Sequence, residues 1–172
     1  MSIDLDPAEE LRSRTITWHD PVPAAAAGAE MAGLDYVRAV QSGELPPPPI
    51  SAVMSFRIAE LDEGRAVFVG EPGEEHYNPI GVVHGGYAAT LLDSVLGCAV
   101  HTTLPTGVGY TSQTLEVKYL RAITRDTGAV RAEAHVVHRG GKTATSEARL
   151  TSVADGKLLA TGTSTCLIIE NR

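Results

Sequence analysis

One carboxylate sits in the most apolar stretch of the chain. Residues 78–100 read NPIGVVHGGYAATLLDSVLGCAV, and the acid among them is Asp93. Ala88, Leu91, Leu92, Val95, Leu96, Ala99 and Val100 recur there at helical spacing. At about 100° per residue, Asp93 falls on the border of that stripe, near Ala89, Leu96 and Gly97. A charge in that place is desolvated unless it is paired or works at an interface. A solvated acid at the stripe's edge is the alternative, and periodicity alone leaves both open. His84-Gly85-Gly86 marks the start of the helix. The first N–H groups of a helix lack acceptors within it and lie at its positive end. Left unshielded by glycine, they suit a developing oxyanion, although a tight turn into the helix needs the same residues. Asn78, before Pro79 in the preceding loop, is a turn residue or an amide that holds a water or a carbonyl. A base, oxyanion donors and an orienting amide are together the parts that an attack on an activated carbonyl requires.

Other chemistries find less support. No Gly-x-Ser-x-Gly elbow is present. Cys98 and Cys166 sit in apolar stretches and read as core, without pairing or metal-type spacing. His76, His101, His135 and His138 show no ligand spacing with Asp or Cys, so neither a metal nor a cofactor is expected. The net charge of −7 argues against duplex nucleic acid or an anionic membrane as partner, since both demand a basic face. A small phosphorylated ligand, which needs only a few local cations, remains compatible.

The elements that must position these residues follow from patterning. With 172 residues, 43% hydrophobic and 20% charged, the chain has the composition of one soluble domain with room for an extension. Residues 1–27 read as a loose arm, broken by Asp6-Pro7, Asp20-Pro21 and Pro23, with Leu11, Ile16 and Trp18 available to pin it. One helix is expected over 28–42, stopped by Gly43. Pro46 to Pro49 read as an extended spacer. Strands are expected over 50–61 and 65–69, joined by Asp62-Glu63-Gly64, then a helix over about 83–102. Four strands follow, over 108–120, 129–138, 143–153 and 157–169. The organisation is therefore an N-terminal extension, 1–49, with one helix and a Pro-rich linker, and a domain, 50–172. Its fold class is α+β: a curved antiparallel sheet wrapped around one long apolar helix. Such a sheet has edges and a second face to cover, so self-association is expected. The N-terminal run MSIDLDPAEELRSR lacks the apolar core of a leader, and no apolar run approaches the ~20 residues of a membrane helix. With two unpaired cysteines, a cytoplasmic location is expected.

The combination of Asn78-x-x-Gly81-x-x-His84-Gly85-Gly86, Leu91-Leu92-Asp93, Tyr119-Leu120-Arg121, the Gly141-Lys142 turn and the Asp155-Gly156-Lys157-Leu158 turn resembles the PaaI-type branch of the hotdog-fold acyl-CoA thioesterases. The resemblance covers roughly residues 50–169. It implies the hotdog fold and a dimer, paired again into a tetramer, with each site shared by two subunits. It implies Asp93 as general base or nucleophile, the Gly85 N–H as the group that polarises the thioester carbonyl, and Asn78 as the residue that orients water or substrate. Ser112 stands where some relatives hold the water with Ser or Thr, with Thr111 as its neighbour. His84 and Gly86 would line the site. Arg121, Arg139 and Lys142, at strand ends, would meet the phosphates of coenzyme A. Gly140-Gly141 would let the pantetheine arm approach the backbone. Coenzyme A would enter only as part of the substrate.

The implied activity is hydrolysis of a small or medium acyl- or aryl-coenzyme A. Two other readings share the fold. A non-catalytic acyl-CoA-binding protein would bind without turnover. A dehydratase would call for a His with an acid across the site, which the Asp93 register fits less well. A transcriptional sensor would need a DNA-binding module, and the extension carries no basic recognition helix. Pocket-wall candidates are Tyr87, Leu91 and the strand of the fifties.

Overall fold

The computed structural model describes residues 11–170. Three helices come first: α1 (Pro21–Ala29), α2 (Gly33–Ser42) and α3 (Pro49–Val53). The hairpin β1 (Phe56–Asp62) and β2 (Arg65–Gly70) leads to the long helix α4 (Gly85–His101). Then follow β3 (Val108–Tyr119), β4 (Val130–Arg139), β5 (Thr143–Ser152) and β6 (Leu158–Glu170). The strands form one six-stranded antiparallel sheet in the order β1-β2-β4-β5-β6-β3.

The sheet wraps α4. Leu91, Leu92, Val95, Leu96, Ala99 and Val100 are fully buried, so the apolar stripe is the centre of the core. The facing strands offer small residues: Ala132 and Ala134 on β4, Ala144 and Ala148 on β5, Gly162 on β6. A Cβ on Gly162 would stand 3.3 Å from Leu96 and 3.4 Å from Leu92. Glycine there lets the helix settle onto the sheet, and tight packing of this kind is where a protein interior gains its contacts.

The strand–strand–helix–four-strand order agrees with the patterning, but the N-terminal third differs. The helix expected over 28–42 is α2, starting only at Gly33, whereas residues 21–27, expected as loose arm, belong to a further helix, α1, separated from α2 by a break at residues 30–32. Asp20-Pro21 is a start signal and not a breaker. The Val22 N–H donates to Asp20 Oδ1 at 3.0 Å, and Pro21 occupies the first turn, where its missing N–H costs nothing. Pro49 repeats the device in α3, so residues 50–53 are helix and β1 begins only at Phe56. Leu11 and Trp18, at 95% and 62% exposure, do not pin the arm. Arg14 does: its guanidinium donates to the Ala52 carbonyl at 2.6 Å, Ser55 Oγ at 2.8 Å and the Glu75 carboxylate at 2.6 Å. Asp6-Pro7 lies outside the described residues.

The two sheet edges are treated differently. The β1 edge is met by α2, where Gln41 Nε2 donates to the Ala59 carbonyl at 2.9 Å. On β3, 12 residues long, only the β6 side is paired among the described residues. A long free edge is a template for another strand.

Candidate active site

His84 is the N-cap of α4. Its Nδ1 accepts the Gly86 N–H at 2.8 Å. That corrects the sequence reading of two free glycine donors: Gly86 is spent on the cap. The Gly85 N–H, one position earlier, has no acceptor among the described residues, as expected of the first residue of a helix. Tyr119 holds the same turn, its hydroxyl donating to the Gly85 carbonyl at 3.1 Å. A Cβ on Gly85 would stand 3.2 Å from the Tyr119 ring, so the absence of a side chain keeps this approach open. His84, Gly85, Tyr119 and Arg121 line one cavity of about 320 Å³. Arg121 is anchored there by its own guanidinium, which donates to the Leu158 carbonyl at 2.7 Å.

Asp93 lies on a second face of α4 that also carries Ser94, Cys98 and His101. This face opens on a different cavity, of about 710 Å³. Asp93 is half-buried, and its Oδ1 accepts a hydrogen bond from Ser112 Oγ at 3.0 Å. The β3–β6 register shifts between Ser112 and Thr114, so a bulge sits beside Ser112. Bulges of this kind re-aim side chains next to sites. The pairing with Asp93 separates Ser112 from Thr111, which sequence left as neighbours for one role. Ser112→Ala should lower turnover by about tenfold, the loss of one hydrogen bond to a charged group, and Ser112→Thr should retain most of it. Steady-state kinetics on both variants provide the check.

Asn78 is half committed. Its Oδ1 accepts the Ile80 N–H at 3.0 Å and the Val82 N–H at 3.3 Å, which folds the 78–82 loop onto itself. Only the amide NH2 remains to face outward, so Asn78 can donate to a water or carbonyl and cannot accept from one. It lines neither cavity. Nor do Arg139, Gly140, Gly141 and Lys142. They form the β4–β5 turn, where the Gly140 N–H donates to the Thr143 carbonyl at 2.8 Å and the Lys142 carbonyl accepts the Ile168 N–H at 2.9 Å. Arg139, Gly141 and Lys142 are exposed.

The structure therefore gathers the sequence candidates into two groups within one chain: Asp93 with Ser112, and Gly85 with His84 and Arg121. Tyr87 and Leu91, candidates for the pocket wall, are instead core residues at 2% and 0% exposure. The wall beside Asp93 comes from the strand of the fifties, as expected, and also from α2 and α3, which the sequence offers only as a helix of the extension and as the end of a Pro-rich spacer. Sequence reading missed the aromatic cluster of Tyr36, His101 and Tyr110 as well, whose rings pack in series at 5.5 and 5.4 Å, tilted by 54° and 55°. A signal was present: Asp93, Ser94, Gly97, Cys98 and His101 share one arc of the helix. A Cβ on Gly97 would stand 2.6 Å from the Tyr110 hydroxyl, so that glycine seats the ring. Burial pushes the His101 imidazolium down and the phenols of Tyr36 and Tyr110 up, so all three are neutral near pH 7. Burial, and then the Asp93 charge, pushes the Cys98 thiol up to about 12. A thiol protonated at neutral pH is a poor nucleophile, which leaves Asp93 as the candidate for a reactive group in this cavity.

The thioesterase superfamily model matches residues 80–159, a span that contains both α4 and Ser112. Human acyl-coenzyme A thioesterase 13 is 36% identical over 92 residues, 54% of this chain and 64% of that protein. The match thus spans under two thirds of that relative's length. Among solved structures, a phenylacetic acid degradation-related protein of Ralstonia eutropha is 29% identical with a TM-score of 0.70, covering 77% of this chain and 98% of that one. The TT0310 protein of Thermus thermophilus is 30% identical with a TM-score of 0.63, covering 70% and 97%.

Proposed function

Because the chain belongs to the thioesterase superfamily, with the hotdog fold and PaaI-like relatives, we propose that it hydrolyses the thioester of a small or medium acyl- or aryl-coenzyme A to the free acid and coenzyme A. The observation that carries this reading is the pair of complementary half-sites on α4. One half holds a carboxylate with a hydroxyl on it, facing a cavity. The other holds an N–H at the helix start with no acceptor among the described residues, facing a second cavity. A general base and an oxyanion donor are what this hydrolysis requires.

The two halves do not meet in one chain. Gly85 and Asp93 are eight residues apart on one helix, about 12 Å along its axis. One carbonyl cannot touch a donor and an activated water over that span. The free β3 edge supplies the remedy: two copies paired edge to edge bring a second α4 to the same sheet, and Asp93 of one copy then opposes Gly85 and Asn78 of the other. A dimer of this kind, paired again into a tetramer, is the assembly we adopt, working in the cytoplasm, where the free thiols of Cys98 and Cys166 persist. In the shared site, the Gly85 N–H polarises the thioester carbonyl. Asp93, held by Ser112, takes a proton from water as the oxygen attacks, or attacks the carbonyl carbon itself to give a mixed anhydride that water then hydrolyses to the free acid. The carbon–sulfur bond breaks, and coenzyme A leaves as thiolate and collects a proton. Arg121, beside Gly85, with Arg139, Lys142 and the Gly140-Gly141 backbone, is assigned to the nucleotide and pantetheine end.

The test is release of free thiol from butanoyl-, octanoyl- and phenylacetyl-CoA, followed with a thiol-reactive dye. Turnover of one or more is the expected result. Tight binding of these thioesters without thiol release would instead identify a non-catalytic acyl-CoA-binding protein.

A further inference from the structure

The cavity beside Asp93 is walled by a part of the chain that lies outside the span matched by the superfamily model. That span begins at residue 80, whereas Val40 of α2 and Ile50 of α3 line the same cavity as Asp93 and Ser112. Resting on the hydrolase reading above, we infer that α2 and α3 set the size of the acyl group this protein accepts, with Val40 and Ile50 as the specificity-determining residues.

Three observations carry the inference. First, the wall is held in place from both ends. The Gly33 N–H donates to the Leu104 carbonyl at 2.9 Å, just beyond α4. A side chain on Gly33 would collide with the His101 carbonyl, so α2 begins in direct contact with the end of α4. At its far end α2 is tied to β1 through Gln41, and its Val37 and Ala39 are buried at 3% and 4% exposure. Arg14 secures α3 through the Ala52 carbonyl. A wall fixed in this way discriminates by size, because overfilling a packed site forces strain into it.

Second, the cavity's volume of about 710 Å³ falls within the range of small-molecule sites. Third, rigid rings bound another side. Tyr36 comes from α2 itself and packs at a tilt against His101, which packs likewise against Tyr110, and all three line the cavity. An acyl group beside Asp93 therefore meets α2, α3 and an aromatic cluster. The class that fits is compact: short to medium straight chains or a single ring, in preference to long fatty chains.

The experiment measures kcat/KM for butanoyl-, octanoyl- and hexadecanoyl-CoA in the full chain and in Val40→Phe, Val40→Ala and Ile50→Trp. Ile50 is 44% exposed, so its substitution leaves folding intact even where a larger residue at Val40 does not. Val40→Phe and Ile50→Trp should lower octanoyl-CoA turnover by about tenfold or more while butanoyl-CoA stays within about twofold, the scale on which apolar pockets discriminate. Val40→Ala should shift the preference toward the longer chains. Unchanged length profiles, or equal losses at every length, would overturn the inference while leaving the hydrolase reading intact. Should the native protein release thiol from none of the three and none from phenylacetyl-CoA, the hydrolase reading fails. The same ranking, measured as Kd by calorimetry, then decides the role of the wall by itself.

Discussion

Asp93→Asn should hydrolyse acyl-CoA thioesters at least about a hundredfold more slowly than the native chain, with KM little changed, as befits loss of a positioned general base. Asparagine is the informative replacement. Its Oδ1 can still accept the hydrogen bond that Ser112 Oγ donates to Asp93 at 3.0 Å, so shape and contact are retained. What disappears is the ability to take a proton or to attack a carbonyl. No other group on that face of α4 can substitute. The Cys98 thiol stays protonated at neutral pH, and His101, half-buried against the rings of Tyr36 and Tyr110, stands eight residues from Asp93, about 12 Å along the helix axis. The melting temperature should be maintained, because a half-buried carboxylate is replaced by a neutral group of the same volume. Undiminished turnover in a folded Asp93→Asn protein would remove Asp93 from the mechanism.

Gly85→Pro is the second large effect, and it tests a backbone atom. Gly85 is the first residue of α4, the helical position at which proline is best tolerated. His84 precedes it with φ −60° and ψ 139°, the extended conformation that a residue before proline prefers. The cap from His84 to the Gly86 N–H can persist. The ring would press on Tyr119, a side chain able to shift. The substitution therefore removes one N–H and little else. Turnover should fall about a hundredfold to a thousandfold, the cost of one oxyanion donor. A folded variant with native kcat would show that the Gly85 N–H does not meet the oxyanion.

The two variants together test the shared site. If Asp93 of one copy works with Gly85 of another, Asp93→Asn and Gly85→Pro chains mixed and allowed to exchange should recover about a quarter of native activity. Half of randomly formed twofold dimers are mixed, and each mixed dimer holds one intact site of two. Recovery absent despite demonstrated exchange would overturn the shared site.

Much of this site is legible in the order of residues. The stripe of α4, the glycines at its start and the acid at its border follow from helical periodicity, because a helix this apolar must be wrapped and its polar exceptions stand out. Ser112 is legible only as one of two neighbours. Strand alternation assigns Thr111 and Ser112 to opposite faces but does not say which face meets Asp93, and a bulge decides it. The N-terminal third misleads for a local reason. Proline at Pro21 and Pro49 looks like a helix breaker along the chain and is a helix starter in the first turn.

What the sequence determined by itself is the order of elements from β1 onward, the buried face of α4 and the chemical types present at its start and middle, all of which depend on neighbours a few residues away. What the tertiary structure decided is which groups share a cavity. Gly33 brings α2 against the end of α4, Arg14 ties the arm to α3, and His84 consumes one of the two glycine donors. These are contacts between residues far apart in the chain or choices between equivalent local partners. Periodicity carries no information about either, so the wall beside Asp93 and the commitment of the Gly86 N–H but not the Gly85 N–H to the His84 cap emerge only when the chain is folded.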